Sequence, residues 1–168
     1  MKLIRCFAMV LTLILAASAL AGAEIPAQVG AEAPDFEVET LDGKTIQLSD
    51  FRGKVVFLNI WATWCPPCVR EIPDIQRLAE VYSDDLAVIG ISVDEDAAAV
   101  ADFVRENGLT YNIAMDLDYE ICTRLYPTYA IPNSLFISAD GIVTSMELGA
   151  ADYETLEKRF FDARDSAL

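Results

Sequence analysis

The chain has 168 residues, room for one ordinary domain, and its 54% apolar content can build a core without metals or a dense set of disulfides. Twelve basic against 27 acidic residues give a net charge of −15, which argues against nucleic acid as a partner. There is no histidine, so imidazole can serve neither as a catalytic base nor as a metal ligand, and many enzyme classes fall away at once.

In chain order, residues 1–23 are predicted to be an export signal. Lys2 and Arg5 precede an apolar run over 7–20, and Ala21-Gly22-Ala23 has the small-residue form that signal peptidase accepts. A retained membrane anchor is the alternative, because 6–23 is an uncharged run of 18 residues, close to the shortest that spans a bilayer. Cys6 stands before the apolar run and not at its end, so it does not mark a lipoprotein and would leave with the signal. Without Lys2 and Arg5 the mature chain keeps 10 basic residues against 27 acidic, about −17, a charge that favours solubility and would attract basic partner surfaces.

Residues 24–35 are rich in Ala, Pro and Gly and read as a short lead-in, with the domain at 36–168. Phe36-Glu37-Val38-Glu39 alternates apolar and polar, Asp42-Gly43 is a turn signal, and 45–48 resumes the alternation, which predicts a β-hairpin. Residues 55–61 form a continuous apolar run rich in β-branched and aromatic side chains, as expected of a strand buried on both faces. A helix is predicted over 66–82, a second buried strand over 86–93, and a second helix over 95–107, closed by Gly108. Strand, helix, strand, helix implies an α/β fold with parallel pairing. A short strand over 111–115, a short helix over 118–126, a hairpin of 134–138 and 142–148 around Ala139-Asp140-Gly141, and a terminal helix over 152–163 complete the pattern.

The chemistry concentrates at Cys65-Pro66-Pro67-Cys68, just after the first buried strand and at the start of a helix. There, unpaired backbone N–H groups and the positive end of the helix dipole favour a thiolate, so the pKa of Cys65 should be lowered. A thiolate is the attacking species in disulfide exchange: Cys65 would open a partner's disulfide, and Cys68, one turn on, would resolve the mixed disulfide. Pro66 and Pro67 fit the first helical turn, where a missing N–H matters least. Half of a zinc site is the competing interpretation, but zinc takes four ligands and the mature chain offers only Cys122 as a further sulfur, so no metal is expected. A purely structural disulfide is disfavoured because so small a loop constrains an unfolded chain little. Cys122 leaves an odd cysteine in the mature chain, expected to be a buried helix residue.

The run from Asn59 to Cys68, Asn59-Ile60-Trp61-Ala62-Thr63-Trp64-Cys65-Pro66-Pro67-Cys68, followed by Glu71 and Pro73, resembles the TlpA/ResA-like branch of the thioredoxin superfamily. Pro34-Asp35-Phe36, Asp42-Gly43, Ile131-Pro132-Asn133 and Asp140-Gly141 extend the resemblance from about Pro34 to the last helix. It implies a thioredoxin fold: a central mixed β-sheet flanked by helices, with an added N-terminal β-hairpin. It also implies a cis peptide before Pro132, set against the active-site pair, with Ile131 offering backbone groups to an extended substrate segment. Trp64, Pro66, Ile131 and Pro132 are thereby the expected substrate contacts. Asn59 replaces the buried aspartate of ordinary thioredoxins and cannot ionise, so proton transfer passes by resemblance to Glu71, on the helix face of Cys68. A solvated helix carboxylate is the alternative for Glu71. Asn133 stands where the family usually has Thr after the cis proline, and Tyr129-Ala130 lacks the family's frequent Gly, departures that bear on substrate preference.

The function implied is an exported dithiol-disulfide oxidoreductase of the periplasm or the outer face of the membrane. It would act as a reductant toward disulfide-containing client proteins such as apocytochrome c, draw electrons from a membrane thiol donor, and need no cofactor beyond its redox-active disulfide. Two other functions share parts of the pattern. A peroxiredoxin-type peroxidase would need Pro and Thr where Leu58 and Ala62 stand, and a Cu(I) carrier could use the two soft thiolates but would be expected to add a histidine.

Overall fold

The computed structural model describes residues 25–166. The predicted export signal or anchor at 1–23, with Cys6, lies outside the described residues. Within them, no helix is long and apolar enough to cross a membrane.

The hairpin forms as the alternation predicts: β1 (Glu37–Glu39) pairs antiparallel with β2 (Thr45–Gln47) across a turn where Gly43 adopts φ 81°, a conformation glycine takes without strain. The main sheet holds β3 (Val55–Trp61), β4 (Leu86–Ser92), β5 (Asn112–Met115), β6 (Asn133–Ile137) and β7 (Val143–Leu148), in spatial order β5-β4-β3-β6-β7. β3, β4 and β5 are mutually parallel, whereas β6 runs antiparallel to both β3 and β7, so the sheet is mixed. α1 (Pro66–Val81) follows β3, α2 (Ala97–Asn107) follows β4, and α3 (Tyr153–Asp165) closes the chain.

β3 is apolar at nearly every position because both of its faces are covered. Val56, Leu58 and Ile60 enter one cluster with Phe36, Leu48 and Tyr126; Val55 and Phe57 enter another with Ile75, Leu78 and Phe160, beneath α1 and α3. Each such large side chain contributes roughly 1.5–3 kcal/mol of burial. A third cluster, at the C-terminal end of β3, gathers Trp61, Ala62, Cys65, Cys68, Ile72 and Val100, so the predicted redox pair is seated on packed apolar side chains. Gly90, opposite Asn59 on β4, lets the neighbouring rings close in: a Cβ there would lie 2.8 Å from Ile113 Cδ1, 3.1 Å from Trp61 Nε1 and 3.3 Å from Tyr111 Cε2. Gly90→Ala is therefore expected to cost about 1–3 kcal/mol by overpacking. It would be read as a lowered urea midpoint, and an unchanged midpoint would mean that Ile113 simply moves aside.

Several boundaries differ from the sequence expectation, each for a local reason. α2 begins at Ala97 and not at Glu95, because Asp96 caps it by accepting the N–H groups of Ala98 and Ala99. The helix expected over 118–126 contracts to a π-helical turn, Ile121–Leu125: Tyr119 takes φ 58°, and the buried Asp116 carboxylate accepts the N–H groups of Ile121 and Cys122. The lead-in is docked onto the domain. Ala27 donates its N–H to the Leu125 carbonyl, Ala33 donates to that of Gly141, and both alanines are buried.

Candidate active site

Cys65, four residues beyond the end of β3, is in extended conformation and is the N-cap of α1, whose first two positions are Pro66 and Pro67. The prolines occupy positions where no N–H is needed, which leaves the Cys68 N–H free to point at Cys65 Sγ, 3.3 Å away. Cys65 and Cys68 are joined as a disulfide, with Cα atoms 5.3 Å apart. When the bond is reduced, the same N–H and the helix terminus stabilise negative charge on Cys65 Sγ.

The Ile131–Pro132 peptide is cis, and the Ile131 carbonyl oxygen lies 3.7 Å from Cys65 Sγ. The loop before it is tied down: Thr128 donates its N–H to the Cys122 carbonyl, and the buried Asn133 donates its side-chain N–H to Thr128 Oγ1 at 2.9 Å. Asn133 thus braces, through its amide, the segment that carries Tyr129 and Ile131. Trp64 is 65% exposed beside the disulfide and Tyr129 is 92% exposed, while Pro66 is exposed and Pro132 buried. The structure therefore gathers Trp64, Cys65, Pro66, Cys68, Ile131 and Pro132 at one end of the sheet.

Asn59 is buried in the middle of β3 and donates to Ser134 Oγ at 3.0 Å on the neighbouring strand, a neutral pairing with no titratable group. Glu71 is 2% exposed, so it is not the solvated helix carboxylate that was the alternative for it. Its Oε1 accepts the Ala151 N–H at 3.1 Å, from the connection between β7 and α3, and its Oε2 is buried without a hydrogen-bond partner. Burial pushes its pKa up to about 7; the Ala151 N–H opposes the shift, and the Asp74 and Glu147 carboxylates add to it. The hydrogen bond of Glu71 goes to the backbone of Ala151 and not to either sulfur.

Cys122 is buried in the π-helical turn, its Sγ 3.6 Å from the Tyr119 carbonyl oxygen. Burial, reinforced by the Asp116 carboxylate, pushes its thiol up to about 12, which keeps it protonated and a poor nucleophile.

One group at this end of the sheet has no counterpart in the sequence reading. Asp94, two residues beyond β4, accepts hydrogen bonds from the N–H and O–H of Thr63 and from the hydroxyl of Ser92. A sequence signal exists: Ser92-Val93-Asp94 ends an apolar parallel strand, and functional groups of α/β sheets collect outside the carboxyl ends of such strands.

Residues 29–146 match the model of the AhpC/TSA family. The thiol-disulfide oxidoreductase ResA of Bacillus thuringiensis (strain Al Hakam) is 40% identical over 131 residues, covering 77% of this chain and 75% of the relative. The thioredoxin-like protein YneN of Bacillus subtilis (strain 168) is 33% identical over 144 residues, covering 81% of each. Among solved structures, StoA from Bacillus subtilis superposes with a TM-score of 0.67 at 26% identity, over 80% of this chain and 97% of that one. A thiol:disulfide interchange protein of the thioredoxin family from Chlorobium tepidum TLS superposes with a TM-score of 0.72 at 28% identity, over 81% and 97%.

Proposed function

This chain belongs to the AhpC/TSA family and is a thiol-disulfide oxidoreductase of the ResA type, and from that premise we propose that it works as an exported reductant of disulfides in client proteins. The observation that carries the exchange chemistry of this reading is the disulfide at the head of α1, with a backbone N–H aimed at Cys65 Sγ and a backbone carbonyl beside it.

In the reducing direction the Cys65 thiolate attacks one sulfur of a client disulfide. A mixed disulfide forms, and the client's other sulfur leaves as a thiolate and takes up a proton. Cys68 then loses its proton and attacks Cys65 Sγ, which releases the second client thiol and leaves the Cys65–Cys68 disulfide. Two electrons have passed to the client. A membrane thiol donor restores the dithiol, since the export compartment supplies no reduced glutathione pool. Trp64 and Pro66 face the client, and the buried Pro132 carries Ile131, whose backbone is available to an extended segment. Glu71, with a pKa near neutrality, exchanges the proton that Asn59 cannot. No cofactor beyond the cysteine pair enters these steps. Export follows from residues 1–23, cleaved or retained as a tether, and apocytochrome c before haem attachment is the client class that the family likeness suggests.

The test is the reduction potential of the pair in the purified domain, equilibrated against glutathione or dithiothreitol buffers. A value near or below roughly −270 mV, that of thioredoxin, is expected of a reductant. A value near roughly −120 mV, that of a strong oxidant, would reverse the direction.

A further inference from the structure

β3 and β4 stay paired to their ends, where the Val93 N–H donates to the Trp61 carbonyl at 2.9 Å. Beyond that point the two chains diverge. One turns through Ala62, Thr63 and Trp64 into α1; the other runs through Asp94 and Glu95 to Asp96, the cap of α2. The Asp94 side chain bridges the gap. Its Oδ2 accepts the Thr63 N–H at 2.9 Å and the Ser92 hydroxyl at 2.8 Å, and its Oδ1 accepts the Thr63 hydroxyl at 2.6 Å. In return the Asp94 N–H donates to Ser92 Oγ at 3.1 Å, so the ring of bonds closes on itself. Asp94 is 6% exposed, so water competes little for these donors.

The turn so held is short and carries the reactive sulfur. Thr63 stands two residues before Cys65, and the Cys65 N–H closes the turn on the Ala62 carbonyl at 3.2 Å. Trp64 projects from it into solvent, so the turn is held from its inner side. Where Cys65 Sγ sits, relative to the Cys68 N–H and the Ile131 carbonyl, therefore depends on the inner clasp.

We propose that Asp94 is a positioning residue for thiol exchange: by gripping Thr63 at both its N–H and its hydroxyl, it fixes the turn that sets Cys65 at the head of α1. It acts through hydrogen-bond geometry and not through its charge. The inference rests on the oxidoreductase activity and is independent of the direction in which that activity runs.

The experiment compares Asp94→Ala, Asp94→Asn and Thr63→Val in the full chain with the unsubstituted protein. It measures the second-order rate of the reduced protein with a disulfide-bonded peptide, the pH dependence of Cys65 alkylation by iodoacetamide, and the melting temperature. An amide at position 94 can accept from the Thr63 N–H and the Ser92 hydroxyl and donate to Thr63 Oγ1, so Asp94→Asn keeps the clasp without the charge. Asp94→Ala is expected to slow exchange by at least about tenfold and to move the alkylation midpoint to higher pH, while Asp94→Asn stays within about threefold. Thr63→Val, which puts a methyl in place of the hydroxyl and keeps the Thr63 N–H, should slow exchange by about threefold and keeps the test decisive if Asp94→Ala does not fold. A lowered melting temperature with unchanged rate and alkylation profile would reduce Asp94 to a structural role and overturn the proposal. Asp94→Asn as slow as Asp94→Ala would overturn it too, by assigning the effect to charge. An unsubstituted protein that fails to exchange at all would instead strike the oxidoreductase reading.

Discussion

Cys65→Ser is expected to lower the rate of client-disulfide exchange by at least about 1000-fold, the scale on which loss of a nucleophile acts. A serine hydroxyl at the head of α1 meets the same N–H group but does not ionise near neutral pH, and neither remaining thiol of the described chain can take over. Cys68 stands inside the first turn of α1 and not at its cap, where the helix N–H is aimed at position 65, and Cys122 is buried with its thiol held protonated. Cys68→Ser should behave differently. The Cys65 thiolate is still formed and still attacks, but nothing resolves the product, so the protein should accumulate as a mixed disulfide with its client. Mass spectrometry of the unreduced mixture checks both variants: an adduct on Cys68→Ser and none on Cys65→Ser. Release of the client by Cys68→Ser at the normal rate would mean that a thiol other than Cys68 resolves the intermediate.

The same pair shows what kind of information a sequence holds locally. Cys65 and Cys68 stand within one helical turn, the strand before them is an unbroken apolar run, and the two prolines mark where the helix starts. Placement and fold therefore follow from neighbours along the chain, and the sheet and hairpin appear as expected. What was hidden depends on pairs far apart in sequence. Thr63 meets Asp94 at a separation of 31 residues and Glu71 meets Ala151 at 80, so neither clasp leaves a periodic trace. The helix that the spacing predicts over 118–126 contracts for a related reason. Its apolar spacing is genuine, but the Asp116 carboxylate takes two of the backbone N–H groups on which a regular helical start would depend. Glu71 is the sharpest case, because a glutamate on a helix gives no sign of its burial until α3 and its connection are packed against that helix.

That burial makes the protein's stability depend on pH. The Glu71 carboxyl has a pKa of about 7 in the folded chain against an ordinary 4.5, so the folded state holds a proton that the unfolded state has released over that interval. Below pH 4.5 both states are protonated and the neutral, buried carboxyl costs nothing in charge. As pH rises from 4.5 to 7 the unfolded state is progressively favoured, and above 7 the full penalty, with a ceiling of roughly 3 kcal/mol, is in place. Glu71→Gln removes that dependence while keeping an oxygen for the Ala151 N–H. Relative to the unsubstituted protein it should gain up to roughly 3 kcal/mol of stability between pH 4 and pH 8, read as diverging denaturant midpoints. Every other titrating group is common to both proteins and cancels in the difference. The gain should be matched by a loss: without an ionisable group at 71, the inflection near pH 7 in the exchange rate should flatten. Parallel stability curves for the two proteins across this range would show that the Glu71 carboxyl titrates as an ordinary surface acid, and its part in proton transfer would fall with them.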